Sequence, residues 1–381
     1  MKIQFFNLQK INLEIEDEIN QAVQTVIHRG EFILGQAVKK FEEELACYLV
    51  GYDQGYVTGC NSGTDALILS LLAAGISAGD EVITVSHTAI PTVAAICAIG
   101  AKPVFVDIDP ETWVMDISKV AYSITTQTKA IVPVHLYGNM VNIYELKSLL
   151  RDIKREEIII VEDVAQAHGS RLNGIHAGTI GDYGAFSFYP TKNIGALGDS
   201  GAVFCRSEDN ASRLKILRNY GQKDRYHLQL NHGINSRLDE IQAEILNIKL
   251  TYLDKWNERR SRIMDIYRTE FADLPLFFQK RCVGCKAAWH LCVIALQDRL
   301  TRDKLFEYLR SNGIGTLIHY PVPVHKQTTF SSNPVKQLSV TEDVADRILS
   351  LPMNPALTYK EQEYVIKTVR LFFTSLKINK L

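Results

Sequence analysis

The chain has 381 residues, 46% of them hydrophobic and 22% charged, with a formal net charge of −1. That length exceeds one ordinary core, and the near-neutral balance argues against nucleic acid or an anionic membrane as the main partner. There is no run of about 18 apolar residues, no apolar signal core behind Met1–Phe5, and no dense cysteine framework, so a cytoplasmic protein without membrane spans is expected. In chain order, the first chemical signal is Asn61-Ser62-Gly63-Thr64-Asp65-Ala66-Leu67, a polar turn that opens a helix bearing Leu67, Leu71 and Leu72. Free amides at such a helix start suit a phosphate, although Ser62 or Thr64 could equally be an ordinary N-cap.

Apolar runs then alternate with helix-length segments: Val82–Val85, Val104–Val106, Ile131–Val134, Ile158–Val161, Ala185–Phe188 and Ala202–Cys205. Continuous apolar strands of this kind predict βαβ units and a mostly parallel sheet covered on both faces. Ligands of such sheets sit beyond the carboxyl ends of the strands. His87 follows the first run, where it could stack on a ligand ring, cap a helix or lie in the core. Asp163 lies just past the fourth run, with Glu162 expected on the opposite side and Gln166 close behind. A cap on a following helix is the plainer reading of Asp163. Ser187 and Lys192 belong to Ser187-Phe188-Tyr189-Pro190-Thr191-Lys192-Asn193-Ile194-Gly195-Ala196-Leu197-Gly198-Asp199, a small-residue loop that flanks its one lysine with apolar or small neighbours.

Two helical stretches are expected next. One starts at a capping box, Ser236-x-x-Asp239, and the other spans Lys255 to Phe271. We therefore read residues 1–254 as a large domain, and 255–381 as an interdomain helix with a small α+β domain. That tail holds a strand near 289–296, a helix from Thr301 to Asn312 closed by Gly313, a strand near Thr316–His319 and a helix opening at Thr358. His319-Tyr320-Pro321-Val322-Pro323 is a stiff loop able to close over a substrate, or simply a proline-fixed turn. Cys282-x-x-Cys285, with His290 and Cys292, has incomplete zinc spacing and reads better as a turn and a buried strand, so no metal is expected.

A lysine, a serine five positions before it and a strand-ending aspartate are what pyridoxal 5'-phosphate requires: a covalent anchor, a phosphate donor and a partner for the ring nitrogen. With these residues the chain resembles the DegT/StrS-type sugar-nucleotide aminotransferases. The resemblance runs from Gly35 to the C-terminal helix. It rests on Asn61–Ala66, Glu162-Asp163-Val164-Ala165-Gln166-Ala167-His168-Gly169, Ser187–Gly198, Asn235-Ser236-Arg237-Leu238-Asp239-Glu240 and His319-Tyr320-Pro321. It implies an aspartate aminotransferase-like fold of type I and a homodimer with shared active sites, in which Asn235 reaches the neighbouring subunit's cofactor phosphate. It further implies that Gly63, Thr64 and Ser187 hold the phosphate, His87 stacks on the ring, Asp163 pairs with its nitrogen, Gln166 lies against its oxygen and Lys192 is the covalent anchor.

Related dehydratases carry histidine where Lys192 stands, so transamination is implied, with L-glutamate as donor and a nucleotide-linked keto sugar as acceptor. Arg218-Asn219-Tyr220-Gly221 and His87 resemble members acting on thymidine diphosphate-linked 3-keto-6-deoxyhexoses. Tyr220, His319 and Tyr320 are the candidate substrate contacts. The alternatives are a 4-aminotransferase acting on a uridine or thymidine diphosphate 4-keto sugar, and a regulator that binds the cofactor without turnover. Val164 and Ser200 stand where many relatives have alanine and glycine.

Overall fold

The apolar runs pair into one seven-stranded sheet buried between helices. The structure, a computed structural model, describes residues 1–52, 54–330 and 337–378. The sheet strands are β1 (Tyr56–Cys60), β2 (Glu81–Val85), β3 (Lys102–Val106), β4 (Thr128–Ile131), β5 (Ile159–Asp163), β6 (Tyr183–Ser187) and β7 (Gly201–Cys205). Their order is β1-β7-β6-β5-β4-β2-β3. The pairs from β3 through β2, β4 and β5 to β6 are parallel, whereas β7 runs antiparallel to both β6 and β1. The sheet is therefore mixed, and Ala202–Cys205 is not part of a parallel βαβ unit.

Register decides where chemistry gathers. Ser187 faces Gly201, which in turn faces Cys60, and Asp163 faces Ala185. The ends of β1, β5 and β6 and the start of β7 thus share one edge of the sheet. Ser62, Asp163 and Ser187 meet there although long stretches of chain separate them. β4 ends at Ile131, short of the expected Val134, and Val134 makes only an isolated bridge to Asp163.

The two helices expected near residues 238–271 are one. Glu240–Glu270 is a continuous 31-residue helix that runs straight through 254/255. Nor does Ser236 cap it: the N-cap is Asp239, without a side-chain bond, and Ser236 Oγ instead accepts from Asn61 N at 3.2 Å and donates to Asp65 at 2.8 Å. Glu240 turns back to the helix Gln36–Val50, accepting from the amides of Gly35, Ala37 and Val38 at 2.8–2.9 Å. A carboxylate there satisfies the orphan donors of that helix start and complements its dipole.

A second core gathers Tyr267, Phe271, Trp289, Leu305, Leu309, Val365 and Phe372 around a three-stranded antiparallel sheet, Phe277–Phe278, Cys292–Ala295 and Ile348–Leu351. The helix expected from Thr301 is Arg299–Ser311, capped by Asp298 and followed by Gly313 at φ +74°. The last helix starts at Tyr359, and Thr358 and Glu361 exchange the bonds of a capping box. Thr316–His319 is not a strand; only Leu317 bridges, to Ser350. No helix among the described residues is long and apolar enough to cross a membrane, and none of their His, Cys, Asp and Glu side chains group into a metal site.

Candidate active site

A cavity of about 340 Å³ opens at the shared strand edge. Gly63, Thr64, Asp163, Gln166, Ser187 and Lys192, expected together from sequence, all line it. Each arrives for a local reason. Ser62 caps the helix Gly63–Ala73 by accepting from Asp65 N at 3.1 Å, so the ordinary cap is real. Gly63 and Thr64 stand at the helix start and line the cavity, and amides at a helix start suit a phosphate. Gly63 has no substitute here, since a Cβ would stand 2.4 Å from Ser187 Cβ. Ser187 Oγ accepts weakly from Tyr189 N at 3.4 Å, which leaves its proton for an acceptor in the cavity.

Asp163 ends β5 with one oxygen in each of two tasks. Oδ1 accepts from Ala165 N at 3.1 Å, closing a local turn, while Oδ2 accepts from Thr92 Oγ1 at 2.8 Å. No helix follows the strand, so the cap on a helix does not apply. Glu162 points the other way, as alternation requires. Its buried carboxylate accepts from His135 Nε2 and from the amides of Gly178, Ile180 and Gly181. Burial pulls its pKa up, but His135 and these amides outweigh burial and leave it below the usual range.

Lys192 contributes a single amine whose pKa burial lowers to about 8, against the opposing pull of Asp163. Behind it, Asn193 makes a full set of bonds. It donates to Asn257 and to Ala288 O, and its Oδ1 accepts from His290 Nδ1 at 3.0 Å. Burial, then the Lys192 charge, push His168 down to about 3, His319 down to about 4 and His290 well below its ordinary value. Three neutral imidazoles thus neighbour one amine. None of them competes with it for a proton near neutral pH.

His87 does not reach the cavity. It is 1% exposed, its pKa is lowered by burial to about 4, and Thr88 and Ala89 line the wall instead. The reason is a hydrogen-bond chain. Tyr137 OH donates to the carbonyl of His319, so it must accept from His87 Nε2–H at 2.9 Å. The expected stacking role of His87 is therefore corrected: its ring meets Tyr137 edge-on at 5.8 Å. The chain continues to the cavity through Gln166, whose Oε1 accepts from Tyr137 N at 2.8 Å and whose Nε2 donates to Tyr320 OH at 2.9 Å. His319 and Tyr320 support the site from behind this amide and are not among the lining residues. Burial pushes the Tyr320 hydroxyl up to about 12.

Asn235 and Tyr220 lie outside the cavity of their own chain. Asn235 is exposed and bridges to Asn219, while Tyr220 sits at φ +62° under the Arg237 guanidinium, 5.5 Å from its ring centre. Arg218 is committed elsewhere, to Glu42 and to the carbonyl of Gly59. The sequence reading missed Thr88, Thr92, Tyr189 and Asp199 as lining residues. Thr92 had a usable signal, being polar in the otherwise apolar helix Ile90–Ala98 after β2.

The donor set fits pyridoxal 5'-phosphate. It offers helix-start amides and a free hydroxyl for a phosphate, a half-buried amine of lowered proton affinity, and a carboxylate fixed by Thr92 at the cavity wall. The comparisons agree. The DegT/DnrJ/EryC1/StrS aminotransferase family profile matches residues 13–370. A dTDP-3-amino-3,4,6-trideoxy-alpha-D-glucose transaminase from Micromonospora megalomicea subsp. nigra is 43% identical, covering 96% of this chain and 98% of that one. The crystal structure of S. venezuelae DesV in complex with a ketimine intermediate is 39% identical with a TM-score of 0.92, covering 97% of this chain and 98% of that one. NtdA from Bacillus subtilis, solved with bound cofactor PMP, is 29% identical with a TM-score of 0.89, covering 98% and 85% of the two chains. The fold is that of the type I pyridoxal phosphate enzymes and the cofactor is pyridoxal 5'-phosphate. The chain belongs to the DegT/DnrJ/EryC1/StrS aminotransferase family.

Proposed function

We propose that the protein transfers an amino group from L-glutamate to the keto carbon of a nucleotide-linked deoxysugar, with a thymidine diphosphate-linked 3-keto-6-deoxyhexose as acceptor. The observation that carries the reading is the convergence of Lys192, Asp163, Gln166, Ser187, Gly63 and Thr64 on one cavity. The dTDP-3-amino sugar named for the Micromonospora relative supports C3 as the position of the new amine.

Bound here, pyridoxal 5'-phosphate supplies an electron sink for the carbanion that transamination requires. The protein's part is positioning and proton transfer. Gly63 and Thr64 amides and Ser187 Oγ would hold the phosphate. Asp163 would pair with the ring nitrogen, fixed in orientation by Thr92 Oγ1. Gln166 is locked with Oε1 on Tyr137 N, so its Nε2 is the only end able to donate toward the cavity or to Tyr320. Lys192 Nζ, half-neutral near pH 8, is matched to accept and return a proton at the substrate carbon. We further propose a homodimer in which exposed Asn235 and Tyr220 face the partner's cavity.

The test is the visible spectrum of the cofactor-loaded protein before and after L-glutamate, with Lys192→Ala as control. The wild type should carry the band of lysine-bound cofactor and lose it to glutamate; the variant should never show it. Proton NMR of the sugar product would then place the amine on C3. An amine on C4, or a band indifferent to glutamate, would overturn the respective half of the proposal.

A further inference from the structure

Lys192 also borders a second, much smaller void of about 20 Å³. Its wall includes Asn12, Lys249, Trp256 and Arg260, the last three on the long helix Glu240–Glu270. Lys249, Trp256 and Arg260 are 4%, 2% and 2% exposed. Two of them hold orphaned donors, for neither Trp256 Nε1 nor Arg260 Nε has a hydrogen-bond partner among the described residues. Lys249 Nζ spends two of its three protons, on Asn12 Oδ1 at 2.9 Å and Gly195 O at 2.7 Å. Arg260 reaches only carbonyls, those of His290 and Met353. No carboxylate lines the void, and no ion pair joins Lys249 or Arg260 among the described residues.

We propose that this void binds one monatomic anion of halide size, held by Lys249, Arg260 and Trp256. Buried N–H groups and buried cations are costly when left without a partner. A single negative particle answers three donors and two charges together. A water molecule would fit the volume as well. A neutral water would, however, leave the two buried cations without a counter-ion. Burial alone holds Lys249 near a pKa of about 8 and Arg260 near about 10, so both gain from a counter-ion. Because Lys192 shares the wall, the anion sets the charge behind the reactive amine. This inference does not depend on which sugar is the acceptor.

Crystals of the cofactor-loaded enzyme equilibrated with sodium bromide, measured at the bromine absorption edge, test it directly. One anomalous peak in the void, within contact of Lys249, Trp256 and Arg260, is expected. In solution, replacing gluconate by chloride at constant ionic strength should raise Tm by about 3 °C at a hundredfold excess over Kd. Lys249→Met should abolish that rise. Should this variant not fold, Trp256→Phe removes a donor without removing a charge and should weaken halide binding at least severalfold. Density that refines as water with no anomalous signal at saturating bromide, or equal Tm in chloride and gluconate, overturns the proposal.

Discussion

The reactive amine should be a stability liability in the cofactor-free protein, and Lys192→Met tests this. In the unfolded chain a lysine titrates at about its ordinary 10.5, whereas burial brings Lys192 to about 8 in the fold. The unfolded state therefore binds more protons between those values. By linkage, stability rises with pH across that window, and below it the fold carries the full penalty. A difference of about 2.5 units is worth about 3 kcal/mol. Lys192 is partly open to the cavity, and water there screens some of that penalty, so about 2–3 kcal/mol is the expected size. For a chain of this length that is a Tm gain of about 3–4 °C for the methionine variant at pH 7. The gap should close as pH is raised from 8 to 10.5. Lys249 shifts in the same direction but is present in both proteins, so it cancels. Thermal melts of both proteins without cofactor, at one protein concentration and a series of pH values, read it directly. A variant no more stable than wild type at pH 7, or a gap indifferent to pH, would refute the reasoning.

Asp163→Asn should leave cofactor attachment at Lys192 visible in the spectrum while lowering kcat by about 10²–10³, the usual loss when one oriented charge is removed from a site; an unchanged kcat would discard its role at the ring. Gly63→Ala forces a Cβ to 2.4 Å from Ser187 Cβ. Overpacking of about 1–3 kcal/mol there should weaken cofactor binding roughly 5- to 150-fold, measured by equilibrium dialysis, and unaltered affinity would mean the phosphate sits elsewhere. Glu240→Ala strips three amides of their acceptor and should cost about 2–4 kcal/mol in denaturant titrations, with Glu240→Gln recovering part of it. An unmoved midpoint would contradict the cap.

Much of the sheet was legible in the chain, and so were six residues of the cavity wall: Gly63, Thr64, Asp163, Gln166, Ser187 and Lys192. Continuous apolar runs mark strands buried on both faces, and residues just past such runs fall at one sheet edge whatever the loops do. That is why Asp163, Ser187 and Lys192 were found. β1 was not, because Tyr56-Val57-Thr58-Gly59-Cys60 has its apolar run interrupted by Thr58 and Gly59, and its pairing with β7 is settled far away in sequence. His87 failed for a different reason. A histidine after a strand has no local signal of direction, and the partner that turns it from the cavity, Tyr137, lies 50 positions on. The long helix was split in the reading because charged residues after Leu253 break its apolar stripe, while Trp256, Arg260, Ile263 and Met264 continue to be buried in the structure. Capping signals erred in the same way: Ser236 has the right spacing for a box but is recruited by Asn61 and Asp65.

The clasp of Glu240 on the helix Gln36–Val50 has a consequence for how the chain is made. The carboxylate that completes this helix start lies 205 positions beyond Gly35. At about 5–20 residues per second, synthesis takes roughly 10–40 s to supply it. β1 waits as well, since its one partner, β7, begins only at Gly201. A nascent chain shorter than about 200 residues therefore exposes an unfinished helix beside an unpaired strand, a surface prone to association while translation continues, and the helix start stays open until Glu240 is made. The first sixty residues are made first and wait for partners made about 140 to 205 positions later.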